Sequence, residues 1–298
     1  MAANTQLFDA QYWVKTRSSL DPQESNYLIW AGGIYAFMPG EKRKLLFKMM
    51  GMSVSRCIPI KEGEWKFTSR ELTYYLDPST GEMLQKWENP WTGETVPVMH
   101  VANNPVQGLF QGQFPAQVDG EETTFVFDIF PNYPNPLADD PKFAEYSPFP
   151  IYQAAELFKL TVPTADLLNP ELLTVSKLRL SWDRFGQWLP WMKMGDRPGY
   201  MIYSGYGSKV NGFSELPELL QEQLNNRVPL YKDAPKDIPN AFFNVEDMTS
   251  WLAFKYHFDD YLAGKTFPLP AQSEDGDELN QQLNDEQDAE QITAGISL

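Results

Sequence analysis

Between Trp65 and Asn104 the chain writes one turn pattern twice: Asp77-Pro78-Ser79-Thr80-Gly81-Glu82 and, twelve residues later, Asn89-Pro90-Trp91-Thr92-Gly93-Glu94. Pro pre-sets the first central turn angle, and Gly supplies the positive φ that closes the turn. Three segments that suit strands flank the two turns, which is the spacing of an antiparallel meander. A chain holding this stretch is constrained to a β architecture around it.

The neighbouring sequence reads the same way. Residues from about Leu7 to Thr16 suit a short helix, with Phe8 and Tyr12 at helical spacing. Tyr27 to Met38 is an apolar strand interrupted by Gly32-Gly33, a pair that signals a bulge, a sharp bend or the close approach of another backbone. Lys44 to Ile58 returns as its partner. In the meander, alternation places Leu72, Tyr74 and Leu76 on one face, and Val96, Val98, His100 and Ala102 on another. Phe110 to Gln117 reads as irregular. Further strands are expected at Glu122 to Phe130, Leu173 to Phe185 and Tyr200 to Tyr206, and at Pro150 to Val162, which could also form a helix but whose length and Thr-Val ending favour a strand. Ser214 to Asn225 and Asp247 to Leu262 carry helical periodicity, the second with Trp251, Phe254, Phe258 and Tyr261 on one stripe.

The predicted fold is mainly β: an antiparallel meander forming a barrel-like, lipocalin-style sheet closed by N- and C-terminal helices, with a two-sheet sandwich as the alternative. The expected segments are a helix and lead-in at 1–20, the barrel at 21–212, helices packed on it at 213–265, and an acidic disordered tail at 266–298.

The runs YYLDPSTGEMLQKWENPWTGETVPVMHVANNPV (Tyr74 to Val106), FPNYPNPL (Phe130 to Leu137) and WLPWMKMGDRPGYMIY (Trp188 to Tyr203) resemble a bacterial and fungal family catalogued as domain of unknown function 1838. The likeness spans about Asp9 to Leu262. It implies membership without an activity, because the family brings no residue roles with it. The style of the sequence would suit a cyanobacterium.

Charge excludes some partners. The net charge of −16 repels phosphate backbones and anionic membrane surfaces, so nucleic acid is not an expected partner. From Thr266 onward there is no Lys or Arg, and eight acids follow; a basic protein partner for residues 272–298 is one reading, a solubilising end the plainer one. No apolar run approaches a membrane span, and Met1-Ala2-Ala3-Asn4 opens no secretory leader, so the expected location is cytoplasmic. Cys57 is the single cysteine, which rules out an intrachain disulfide and reads as a buried thiol. No nucleotide, phosphate or metal motif occurs, and two distant histidines make no ligand set, so neither cofactor nor metal is expected.

The chain holds 9 Trp, 14 Tyr and 19 Phe, more ring surface than turns and edges can use. Such a load points to a large β core or an aromatic-lined pocket. The candidate ligand-binding residues are Trp188, Trp191 and Arg197 in one stretch, Asn132, Tyr133 and Asn135 on a Pro-rich loop, and Tyr74. His100, among apolar neighbours, is the candidate acid/base, with Asp128 to orient it. His257, with Asp260 one turn later, reads as a surface pair. The expected function is binding of a small hydrophobic molecule such as a pigment, lipid or isoprenoid. The alternatives are a cofactor-independent isomerase, cyclase, dehydratase or hydrolase using His100, and an assembly factor docking through the acidic tail.

Overall fold

The computed structural model of the chain describes residues 4–236 and 250–270. The first strand, β1 (Asn4–Asp9), runs directly into the helix α1 (Ala10–Arg17). Three long strands follow: β2 (Asn26–Phe37), β3 (Lys44–Lys61) and β4 (Glu64–Leu76). The short β5 (Lys86–Glu88) and β6 (Thr95–Pro97) pair only with each other. The wall resumes with β7 (Val101–Gln111), β8 (Gln113–Asp119) and β9 (Glu122–Ile129). After β10 (Asn132–Pro134), β11 (Ile151–Pro163) and the single-turn α2 (Thr164–Leu168) come β12 (Arg179–Gly186) and β13 (Tyr200–Val210). Helices α3 (Glu218–Asn226), α4 (Ser250–Tyr256) and α5 (Phe258–Leu262) complete the described chain.

The large sheet runs β1-β8-β9-β11-β12-β13-β2-β3-β4-β7 with every neighbour antiparallel, and it is nearly closed into a barrel. The register shifts opposite Ile34/Tyr35, where β3 carries the extra residue Leu46, and opposite Ser69/Glu71, where β7 carries one more residue than β4; such bulges let long strands curl. The two free edges belong to β1 and β7. Helix α1 plugs the barrel end beside them: Trp13 stacks at 5.3 Å on Phe114 of β8 and meets Phe110 of β7, Phe125 and Phe127 edge-on. Helix α3 lies outside, burying Leu220 and Leu224 against Met52, Val54, Leu72 and Tyr74.

The turn pattern folds as read but serves a different purpose. In both copies the leading side chain caps its own turn: Asp77 Oδ1 accepts from Ser79 N at 2.7 Å, and Asn89 Oδ1 accepts from Trp91 N at 2.9 Å. Gly81 and Gly93 take φ of 78° and 74°. The second turn does not continue the wall. The β5–β6 hairpin folds over the barrel end opposite α1, where Trp87 and Val96 join Trp188, Trp191, Trp251 and Phe254 in one buried cluster. The third meander segment is therefore corrected to a short β6 and a separate β7. Phe110 to Gln117, read as irregular, is β7 and β8 joined at Gly112, whose φ is 74°. β1 was not expected, and the strand read at Leu173 begins only at Arg179. The Gly32-Gly33 signal resolves as close approach: a Cβ on Gly32 would lie 2.1 Å from the Ser204 carbonyl oxygen. The expected acidic tail lies outside the described residues, apart from its first few positions. Among the described residues no helix is long and apolar enough to cross a membrane.

Candidate functional site

The register sorts the inward side chains into layers. On most wall strands one end belongs to the α1 plug: Leu28, Cys57, Phe67, Phe110, Phe125, Leu160 and Leu180. On most of them the other end belongs to the aromatic cap: Ile34, Met49, Tyr75, Ala154 and Tyr203. Between these lie Trp30 and Gly32 on β2, Gly51, Ser53 and Ser55 on β3, and Ser69 and Glu71 on β4. Across the lumen stand Phe127 on β9, Glu156 and Phe158 on β11, Trp182 and Arg184 on β12, and Gly205 and Gly207 on β13. Period-two alternation fixes this face for every strand at once, because a one-residue slip would turn it outward.

One side of this middle layer is an aromatic wall. Phe127 and Phe158 stack at 4.5 Å with planes 4° apart, Phe158 continues to Trp182 at 6.3 Å, and Trp182 meets Trp30 at 6.2 Å. Glycine makes room for it. A Cβ on Gly51 would lie 2.3 Å from Trp30 Nε1, and one on Gly205 would lie 3.4 Å from Trp182 Cε3. All four rings are only half-buried although they point inward.

The facing side is polar. Arg17, the last residue of α1, donates to Ser53 Oγ at 2.9 Å and Ser55 Oγ at 3.2 Å, and its guanidinium lies 4.8 Å over Phe67. Its nearest carboxylate oxygen, Glu71 Oε1, stands off at 3.9 Å. Glu71 is enclosed by protein yet keeps 25% of its side chain accessible. Burial pushes its pKa above the ordinary carboxylate range, Arg17 pulls the other way, and the charge of Glu156 adds to the rise. Glu156 is engaged at both oxygens, by Trp182 Nε1 at 3.0 Å and Arg184 Nε at 3.4 Å. Arg184 also donates to the Tyr152 hydroxyl at 2.8 Å and lies over the Tyr203 ring, whose hydroxyl is hydrogen-bonded to Tyr75. Burial is the main cause holding the Tyr75 and Tyr203 phenols above their ordinary pKa.

The residues expected from sequence fall mostly elsewhere. Trp188 and Trp191 are 4% and 1% exposed, sealed in the cap. Trp188 Nε1 donates to the Arg197 carbonyl oxygen, so Arg197 contributes backbone to a closed core. Tyr74 lies on the outer face of β4 under α3. Asn135 is buried and braces its loop, donating to the Ser147 and Phe149 carbonyl oxygens. Asn132 is exposed, and Tyr133 packs on Tyr152 at 4.7 Å. His100 is 4% exposed; its Nδ1 accepts the Tyr75 backbone N–H at 3.1 Å, and burial pushes its pKa down to about 3. Asp128 is exposed on the outer face of β9, opposite Leu157 of β11, and is not brought to His100. His257 and Asp260 do form the expected pair, at 3.4 Å.

Arg17, Glu71, Glu156 and Arg184 were missed. Leu178, Leu180 and Trp182 were correctly placed on one face, but β4 alternates convincingly on both faces. Phe67-x-Ser69-x-Glu71-x-Thr73-x-Tyr75 faces the lumen, whereas Leu72, Tyr74 and Leu76 face α3. Among the described residues no group of His, Cys, Asp and Glu could hold a metal ion.

A family model described as "Protein of unknown function (DUF1838)" matches residues 23–258, and the chain belongs to that family. No curated protein matches the chain.

Proposed function

We propose that this member of the DUF1838 family binds a small, largely apolar, planar molecule in the middle layer of its barrel. The supporting observation is the half-buried wall of Phe127, Phe158, Trp182 and Trp30 facing Arg17 and Glu71. In the cap Trp188, Trp191, Trp251 and Phe254 are closed in; here glycines and serines stand in place of bulky side chains beside half-buried rings. Pockets that hold small molecules combine mostly apolar walls with a few convergent polar groups, which is the composition of this layer. A hydrophobic ligand of the pigment, lipid or isoprenoid class fits the wall if it also carries an oxygen for Arg17 to hold.

Native mass spectrometry of gently purified protein tests the proposal. The expected result is a stoichiometric small molecule, lost in Trp182→Ala and retained in a variant of the outer face such as Asp128→Asn. Equal retention in Trp182→Ala removes the site assignment. The acidic segment 272–298 supports a separate proposal, docking on a basic protein, through its eight acids without a Lys or Arg. A pull-down with and without that segment tests it.

A further inference from the structure

In the middle layer Glu71 is the carboxylate held most loosely. Glu156 has both oxygens occupied by Trp182 and Arg184. Arg184 is held by Tyr152 and Glu156. Glu71 differs: its contacts are a long 3.5 Å approach from Ser69 Oγ, an Asn103 side-chain hydrogen bond and Arg17 at 3.9 Å. Structural ion pairs close to contact distance, and this one does not. It leaves a carboxylate and a guanidinium side by side, the carboxylate partly accessible, both opposite an aromatic wall.

We infer that Glu71 is a proton-transferring catalytic residue and that Arg17 holds the oxygen on which negative charge develops. This rests on the lumen being a small-molecule site. The substrate class is a planar, largely apolar β,γ-unsaturated carbonyl compound with an acidic C–H between the carbonyl and the C=C bond. Glu71 takes the proton as the C–H bond breaks. The freed pair forms a C=C bond, and the carbonyl π pair moves to oxygen, beside Arg17. Returning the proton at a conjugated carbon completes an isomerisation with no co-reactant. A desolvated carboxylate is the better base for this, because removing water raises its proton affinity while the neighbouring cation favours the anionic intermediate. The groups facing Glu71 are Arg17 from α1, Glu156 from β11, and Ser69 and Asn103 from β4 and β7. His100 lies against Tyr74 and Tyr75 and is not among the groups facing Glu71.

The test uses 5-nitrobenzisoxazole, a planar carbon acid from which a base removes the C–H proton while the N–O bond breaks to a coloured phenolate. Its unreactive analogue 5-nitrobenzotriazole reports binding alone. The full chain should accelerate the reaction over free acetate at equal pH. The rate should rise with pH through a midpoint above the ordinary glutamate value of about 4.3. Glu71→Gln should lower kcat by about 100-fold or more, with 5-nitrobenzotriazole still bound. Glu71→Asp, which keeps the charge, should fall between the two. An unaltered rate in Glu71→Gln, or no acceleration over acetate while 5-nitrobenzotriazole binds, would overturn the catalytic role and leave the binding site standing. Failure of 5-nitrobenzotriazole to bind, or binding indifferent to Trp182→Ala, would overturn the lumen site and the catalytic role with it.

Discussion

The cap and the middle layer are both built from tryptophans, yet they are opposites. In the cap, Trp191 touches Phe47, Tyr75 and Trp87 at ring separations of 5.5–6.0 Å and is 1% exposed. Several of its polar groups are paired: Asn89 Nδ2 donates to the Met192 carbonyl oxygen and Tyr261 to that of Trp191, while Lys193 pairs at the surface with Glu94 and Glu145 and the Trp191 indole N–H is left without a partner. In the middle layer, Trp182 and Trp30 lie over glycines, half-buried, opposite an incompletely paired Glu71. Aromatic density therefore does not mark a site. What distinguishes the middle layer is half-buried ring surface opposite a carboxylate and a guanidinium that stand 3.9 Å apart.

The comparison breaks if the two kinds of tryptophan behave alike. Truncating Trp191 to Ala opens a void in a closed core and should cost about 3–5 kcal/mol in urea unfolding. Trp182→Ala removes a half-buried ring and should cost about half as much while abolishing ligand retention. Equal stability losses would mean that the middle layer is ordinary core.

His100 sharpens the cap side by pH. Its folded pKa of about 3 lies below the unfolded value of about 6.5. The unfolded chain thus binds the extra proton first as pH falls. The resulting stabilisation is present above pH 6.5 and is lost progressively toward pH 3, on the order of 5 kcal/mol in all. His100→Gln keeps an acceptor for the Tyr75 N–H and removes this slope. Denaturant melts of the two proteins across that range should diverge, and parallel curves would contradict a neutral buried imidazole.

A smaller effect is expected at Gly51. An added methyl meets Trp30 Nε1 at 2.3 Å and the Leu72 carbonyl oxygen at 2.5 Å. Gly51→Ala should cost about 1–3 kcal/mol and weaken 5-nitrobenzotriazole binding as the indole is displaced. The least effect belongs to the exposed twin of the repeated turn. Asp77→Asn should leave the melting temperature close to that of the parent, whereas Asn89→Asp loses the donor to Met192 and should cost about 1–3 kcal/mol. Thermal melts of this pair measure what the cap adds to an otherwise identical turn.

Much of the architecture was legible in the sequence because its signals are local. Asp-Pro-x-x-Gly turns, period-two runs such as Leu178-x-Leu180-x-Trp182 and the Gly32-Gly33 pair depend on a few adjacent residues, and backbone sterics decide them. β1 and the β7–β8 junction were less visible. Asn4–Asp9 is a strand only because β8 pairs with it, and Pro105 and Pro115 obscure the alternation on either side of Gly112.

The sequence by itself determined a β chain with fixed turn positions, a closing helix stripe and a surplus of rings. Tertiary structure alone decided which rings are core and which face is the lumen. Along β4 both alternating faces are rich enough to be buried, and both are, one under α3 and one inside the barrel. Strand curvature and the seat of α1 settle which is which. They also carry Arg17 to Glu71 across fifty-four positions of sequence. Charge pairing across a lumen depends on distance in space, which no local pattern encodes.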